Sequence, residues 1–319
     1  MEENRRIIFM GTPDFAVATL NALVADGLNV VAVVTAPDRP AGRGRQLRAS
    51  AVKERAVELG LPVLQPEKLK DPAFNEELDR MNAALYVVVA FRMLPEMVWN
   101  KPPLGTVNLH GSLLPAYRGA APINWAVIHG EAHTGVTTFR IQHEIDTGDM
   151  LLQERTPIGP DETAGDVHDR LMAIGASLMV RTVHGLFAAE LHPLPQVVDQ
   201  SAPPPTAPKL NNENMHVRFD RPARQAHDHV RGLSPYPGAW CTWTDPSGQA
   251  QHTKLLRTQR SDRSTNEAAG TLVVHGPRLF VACADQLLEI MELQAEGRKR
   301  MSAAEFLRGT RNVEGGILG

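Results

Sequence analysis

A chain of 319 residues with 33 basic and 36 acidic side chains carries a formal net charge of −3 and is long enough for two domains, each with its own buried core. Its only cysteines, Cys241 and Cys283, lie far apart and outside any paired pattern, which excludes a zinc ribbon and a disulfide framework and points to a reducing compartment. No apolar stretch approaches the ~20 residues of a membrane span, and the acidic start with its brief apolar run excludes a signal peptide, so the expected location is the cytoplasm with no membrane partner.

Residues 6–10 read as a short apolar strand. Thr12-Pro13 then opens a helix to residue 26, with Thr12 as N-cap, Pro13 at the first helical position and Gly27 as the stop. Residues 30–35 form the next strand and 50–60 a second capped helix; 85–90 is a continuous apolar strand of the kind buried on both faces of a parallel sheet. Residues 106–109 repeat the pattern, 135–141 and 150–156 complete the set, and 163–190 is mostly helical. Strands alternating with helices define an α/β domain with a doubly wound, mostly parallel, Rossmann-like sheet. The turn after the first strand has neither a Gly-x-Gly-x-x-Gly fingerprint nor a Gly-Lys-Ser/Thr phosphate loop, which argues against a dinucleotide or nucleoside triphosphate.

Residues 191–208 contain six prolines and suit neither a regular helix nor a central strand; they read as a semi-rigid connector. Beyond it come a helix at 221–232, the breaker Ser234-Pro235-Tyr236-Pro237-Gly238, and five short strands at 239–243, 252–256, 271–275, 279–283 and 287–293. That pattern suggests a small barrel of OB type. The expected organisation is a catalytic domain at 1–190, a linker at 191–208 and a barrel domain at 209–319. Up to residue 206 there are 18 basic and 24 acidic residues, and beyond it 15 and 12, about −6 and +3. The basic second half hints at an anionic partner, although an ordinary solvated surface explains a difference of this size equally well.

The chemistry concentrates in two blocks, Asn108-Leu109-His110-Gly111-Ser112-Leu113-Leu114-Pro115 and Asp146-Thr147-Gly148-Asp149. A lone Asn or His at a strand end is more often a satisfied structural group. An amide, an imidazole and a carboxylate together are what acyl transfer needs: Asn108 donates to the oxygen of a tetrahedral intermediate, and His110, biased by Asp146, moves the proton. Ser112 is the only local hydroxyl nucleophile, but it has no Gly-x-Ser-x-Gly elbow, so an attacking substrate amine is the more economical reading. His143, Asp146 and Asp149, with His110, can also be read as metal ligands. The stretch is turn-like and its spacing fixes no coordination geometry, so the expectation is chemistry that requires no metal. Arg39, Arg43, Arg45 and Arg48 crowd a Gly/Pro-rich segment, which reads as either a solvated connection or a mobile element that grips phosphate.

These blocks, together with Phe9-Met10-Gly11-Thr12-Pro13-Asp14-Phe15, residues 37–44 with Leu47, Arg118-Gly119-Ala120-Ala121-Pro122 and residues 234–240, resemble the formyltransferases that use 10-formyltetrahydrofolate. The arginine segment plus a second domain resembles the bacterial members that act on methionyl-tRNA. The resemblance implies formyl transfer from 10-formyltetrahydrofolate to the amino group of methionyl initiator tRNA, in support of translation initiation, by a monomer. It implies Asn108, His110 and Asp146 as catalytic residues. Ser112, Leu113, Leu114 and Pro115, with Phe91, Arg92 and Leu94, would form the folate pocket. Arg39, Arg43, Arg45 and Arg48 would contact the acceptor end of the tRNA, and the OB-like domain would bind tRNA as well. Two positions depart from the family: the run Phe91-Arg92-Met93-Leu94-Pro95 is one residue short and lacks a Gly, and Glu144 stands where a Gly is common. The competing readings are a folate-dependent transferase acting on a small amine, such as an amino sugar or glycinamide ribotide, and a non-catalytic RNA-binding relative.

Overall fold

The computed structural model describes residues 4–41 and 46–319. The chain divides into two compact units, the first made of Met1–Gly119, Gly135–Thr156 and His168–Thr206, the second of Ala120–Thr134, Pro157–Val167 and Ala207–Gly319.

In the first unit the strands are β1 (Ile7–Gly11), β2 (Val30–Val34), β3 (Val63–Leu64), β4 (Leu85–Val89), β5 (Thr106–His110), β6 (His133–Arg140) and β7 (Met150–Pro157). They form one seven-stranded sheet in the order β7-β6-β5-β4-β1-β2-β3. The β1–β2, β1–β4, β2–β3 and β4–β5 pairings are parallel, and β6 runs antiparallel to β5, so the expected doubly wound, mostly parallel sheet is present. Ile7, Ile8, Phe9, Leu85 and Val87 are fully buried, as continuous apolar strands covered on both faces require. One face packs Ile8, Met10, Val34, Tyr86 and Val88 against Phe74, Leu78, Leu94 and Val98.

Three helices connect the first four of these strands: α1 (Asp14–Ala25), α2 (Ala51–Glu58) and α3 (Pro72–Met81). Ser50 caps α2 as expected, its Oγ accepting the Lys53 N–H at 3.1 Å. Thr12 does not cap α1. Pro13 occupies the cap position in an extended conformation with no side-chain bond, and the Thr12 carbonyl accepts from the Val52 amide instead. Helix α3 was not anticipated, although Asp71 capping it and Pro72 at its start are ordinary helix signals.

The sheet order reverses between β1 and β4. Gly11 is in register with Val89, and Val89 with Leu109, so the segments after β1, β4 and β5 leave from one edge of the sheet. Ala90, the first residue past β4, adopts φ +47°, the left-handed region that usually favours glycine. The connector is less free than its prolines suggest. Leu194 and Met150 exchange two backbone hydrogen bonds of 2.8 Å, and the Tyr117 amide donates to the Pro205 carbonyl at 2.6 Å.

The second unit holds helices Pro122–Ile128 and Ala223–Gly232 and a seven-stranded antiparallel sheet. Its strands are β8 (Ala239–Thr244), β9 (Ala250–Ser264), β10 (Leu272–His275), β11 (Arg278–Ala282), β12 (Gln286–Ala295), β13 (Met301–Ser302) and β14 (Ile317–Leu318), in the order β10-β11-β12-β9-β8-β14 with β13 on β12. The ends of that order meet. The Leu272 amide donates to the Gly316 carbonyl and the Leu318 amide to the Gly270 carbonyl, curling the sheet into the expected OB-like barrel. A side chain at Gly270 would lie 2.3 Å from the Leu318 carbonyl oxygen, so the seam needs glycine there. The strand expected at 252–256 is in fact the 15-residue β9, which continues through irregularities near Arg257 and Arg260 where the apolar alternation breaks.

This unit is discontinuous, which a boundary at 191–208 does not anticipate. Helix Pro122–Ile128 packs on helix Ala223–Gly232, where Gly232 lets Ile128 and Asn124 approach and its carbonyl accepts from Asn124 Nδ2 at 2.8 Å.

Candidate active site

Asn108 and His110 lie two residues apart on β5 and so project from the same face of the sheet, the face that carries Met10, Val88 and Leu94. His110 is the last residue of the strand and its side chain is 7% exposed. Its Nε2 lies 2.8 Å from the Tyr117 carbonyl oxygen. A carbonyl only accepts, so Nε2 carries the proton and Nδ1 of the neutral ring is left as a base. Nδ1 sits 3.7 Å from Asp146 Oδ2. That is too long for a hydrogen bond but close enough for an ion pair once the ring is protonated. The ring also meets Phe139 edge to face, which fixes its plane. No described residue hydrogen-bonds the Asn108 side chain.

Asp146 sits in the loop between β6 and β7 with φ +54°, and its Oδ2 accepts the Gly119 N–H at 3.0 Å. The loop is braced from inside by Gln142 Nε2 donating to Thr147 Oγ1 and by Thr147 Oγ1 donating to the Glu144 carbonyl. The side chain of Gln196, from the connector, donates to the carbonyls of Asp146 and Gly148. A Cβ at Gly148 would lie 1.7 Å from the Arg140 carbonyl oxygen. The position that requires glycine is therefore 148, and Glu144 stands exposed where its side chain costs nothing.

The segment after β5 is fastened through Thr137. Its Oγ1 donates to the Ser112 carbonyl at 2.7 Å and accepts from the Leu114 amide at 3.1 Å, while Gln153 Nε2 donates to the Leu114 carbonyl at 2.8 Å. Ser112 is fully buried and its hydroxyl donates to the Ala116 carbonyl at 2.6 Å, an arrangement that leaves it no role as a nucleophile. Leu113 and Pro115 are partly buried, Leu114 buried.

After β4, Leu94 is buried in the core and Phe91 half-covers the same cluster. Arg92 donates to the Pro66 and Glu67 carbonyls and lies over the Phe91 ring, with its Nε buried and unpartnered among the described residues. Burial, and then the neighbouring Arg39 charge, lower its pKa from the ordinary arginine value, which leaves it charged.

Arg39 and Arg48 face each other across a two-stranded ribbon, Arg39–Ala41 with Gln46–Arg48, and both are exposed; Arg43 and Arg45 lie outside the described residues. Like charges directly opposite are unfavourable in a bare ribbon. The root of the ribbon is pinned by Asp38, which pairs with Lys53 at 2.5 Å and accepts from Gln65 at 2.8 Å. The hydrogen bond from Lys53, then that from Gln65, hold the Asp38 carboxyl below its ordinary pKa.

Among the described residues no group of three or more His, Cys, Asp or Glu side chains is placed to hold a metal ion. Backbone groups account for most of what sequence reasoning missed here: the Tyr117 carbonyl and Gly119 amide that orient His110 and Asp146 leave no side-chain signature. Thr137 and Gln196 reach the site from a distant strand and from the connector, and no spacing rule would have selected them.

A family model described as formyl transferase matches residues 5–183, and one described as the formyl transferase C-terminal domain matches residues 209–311. The chain belongs to the formyl transferase family. Proteins named methionyl-tRNA formyltransferase from Bacteroides thetaiotaomicron and Parabacteroides distasonis are 47% and 48% identical to it, each match covering 98% of both chains. Among solved structures, an N-formyltransferase from Helicobacter canadensis in complex with folinic acid and dTDP-3-aminofucose has a TM-score of 0.62 at 16% identity, covering 94% of this chain and 100% of that one, and so shares its fold.

Proposed function

We propose that this enzyme transfers the formyl group of 10-formyltetrahydrofolate to the amino group of methionine esterified to initiator tRNA. The observation that carries the reading is the strand-end pair Asn108 and His110, with Asp146 3.7 Å from the ring, in a chain that matches methionyl-tRNA formyltransferases over nearly its whole length. Sugar-acting formyltransferases share only the fold, at 16% identity, so an amino-sugar acceptor is not favoured; nor is a non-catalytic relative, since Asn108, His110 and Asp146 are all present.

The attacking amine adds to the formyl carbon, and the carbonyl oxygen gains the negative charge. The Asn108 amide, unengaged by any described residue, donates to that oxygen. His110 Nδ1 accepts the proton released by the new ammonium group, and the imidazolium so formed is balanced by Asp146. The same proton then passes to N10 of the folate as the C–N10 bond breaks, giving the formamide and tetrahydrofolate. The Nε2 bond to the Tyr117 carbonyl keeps Nδ1 turned to this task throughout. This route uses no metal.

The folate lies along the segment Ser112, Leu113, Leu114 and Pro115, meeting the partly buried Leu113 and Pro115 while the buried Ser112 and Leu114, tied to Thr137, set its path, and against Phe91 and Arg92. Leu94 shapes that wall from behind, because it is itself core. Arg39 and Arg48, with Arg43 and Arg45, take the phosphates at the acceptor end of the tRNA, and the barrel at 209–319, matched as a domain of its own, binds tRNA too. Among the described residues no helix is long and apolar enough to cross a membrane. The enzyme works as a cytoplasmic monomer. Supplying the formyl donor with charged initiator tRNA, uncharged tRNA or free methionine tests the reading: formylation is expected only of the charged tRNA, and equal rates on free methionine would reject it.

A further inference from the structure

We infer that Gln196 and Arg118 form a relay that positions Asp146, an inference that rests on the reading of Asp146 as the partner of His110. Asp146 holds a left-handed backbone conformation in a partly exposed loop, and such a residue stays in place only where its surroundings over-determine it. Among the described residues its carboxylate has a single backbone anchor, the Gly119 N–H. The backbone on either side of Thr147 is held by one amide, since Gln196 Nε2 donates both to the Asp146 carbonyl at 2.9 Å and to the Gly148 carbonyl at 2.7 Å.

The orientation of that amide is fixed by chemistry. Arg118 donates to Gln196 Oε1 from Nε at 3.0 Å and from a terminal nitrogen at 2.6 Å, and a guanidinium only donates. The oxygen of Gln196 must therefore face Arg118, which turns both amide hydrogens towards the loop. The connector holds Gln196 in reach, because Leu194, two residues earlier, is bonded in both directions to Met150 at the start of β7. Arg118 and Gly119 are adjacent in sequence. One short segment thus grips the Asp146 carboxylate directly and the Asp146 backbone through Gln196.

A displacement of the order of 1 Å at a catalytic group can cost about 100-fold in rate. Gln196→Glu is the incisive variant: it keeps the length of the side chain and its acceptor for Arg118 but replaces the two donors with an oxygen facing two carbonyls. It is expected to lower kcat roughly 10- to 100-fold while KM for the folate and for the charged tRNA each stay within about threefold of the parent. Arg118→Met should act in the same direction and Arg118→Lys should recover most of the loss, since a single donor can still orient the amide.

The deciding measurement is a double-mutant cycle. If Gln196 works through Asp146, then Gln196→Glu added to Asp146→Asn should slow the enzyme by no more than about twofold beyond Asp146→Asn alone. Multiplicative losses in the double variant, a loss confined to KM, or a Gln196→Glu enzyme with parental kcat would each overturn the relay. Should Gln196→Glu melt before assay, the same cycle run with Arg118→Met and Asp146→Asn decides by the same criterion. An Asp146→Asn enzyme with parental turnover would reject the catalytic reading of Asp146 itself, an outcome distinct from an inactive Asp146→Asn beside a normal Gln196→Glu.

Discussion

The strand-end site and the arginine ribbon are built on opposite principles. His110 is buried at the end of a central strand, its ring fixed by the Tyr117 carbonyl and Phe139, and its neighbours Ser112 and Leu114 are locked through Thr137. Arg39 and Arg48 are exposed on a two-stranded ribbon whose firm attachment is the Asp38–Lys53–Gln65 cluster at its root. Proton transfer needs geometry held to fractions of an ångström, whereas phosphate contacts act through charge and tolerate movement. Substitutions in the first region should therefore change turnover, and those in the second should change tRNA affinity and its salt dependence.

The largest effect should come from the chemistry. His110→Ala and Asp146→Ala are each expected to reduce kcat by roughly 10²–10⁴-fold, and Asn108→Ala by as much or more through the lost oxyanion donor. Far-ultraviolet circular dichroism should remain parental; near-normal turnover of His110→Ala on charged tRNA would remove the base of the comparison. Next is Gly148→Ala, where the added carbon meets the Arg140 carbonyl oxygen. The Asp146 loop must shift, so both kcat and the melting temperature should fall, the stability loss being about 1–3 kcal/mol.

A smaller, different signature is expected of Arg39→Ala, Arg43→Ala and Arg48→Ala. Each should raise KM for charged tRNA several-fold and reduce the log–log salt slope of tRNA binding by about one, with folate affinity and melting temperature almost unchanged. Loss of folate binding in any of the three would place that residue in the pocket wall. The smallest effect concerns Asp38. Because Lys53 and then Gln65 lower its pKa on folding, its contribution is complete above the ordinary carboxylate value near 4 and disappears as pH falls through the lowered one. Asp38→Asn should thus flatten the decline in ribbon protection, measured by hydrogen exchange, between about pH 5 and the lowest pH at which the chain stays folded. A parental acid profile would mean that the cluster does not hold the ribbon.

What could be read from the sequence follows the same division between side chains and backbone. The sheet was legible because strands such as residues 85–89 are apolar throughout, and α2 because Ser50 announces it. The capping box of Ser302 and Glu305, with both reciprocal bonds present, is equally readable in the Ser-x-x-Glu spacing, and with it the helix Ala303–Gly309. Thr12 misled because its neighbour Pro13 takes the cap position. Of the site, Asn108, His110 and Asp146 carry recognisable chemistry. The Tyr117 carbonyl, the Gly119 amide and the left-handed turn at Asp146 are backbone features, invisible until the chain is folded.

The discontinuity of the second unit bears on how this protein can be divided. Helix Ala223–Gly232 buries two polar side chains that draw part of their hydrogen bonding from Pro157–Val167: Arg231 donates to the Gly159 and Glu162 carbonyls, and His227 to the Pro160 carbonyl. Ile128, from the earlier stretch Ala120–Thr134, packs against the barrel core. A fragment made from residue 209 onward would keep every barrel strand yet lack part of its own interior, leaving the Arg231 guanidinium with Asp228 and the His227 imidazole with Thr258 but without their carbonyl partners. Ribosomal synthesis poses the same problem in time, since Ala120–Thr134 and Pro157–Val167 emerge first and must wait, apolar surface uncovered, for the barrel that shelters them.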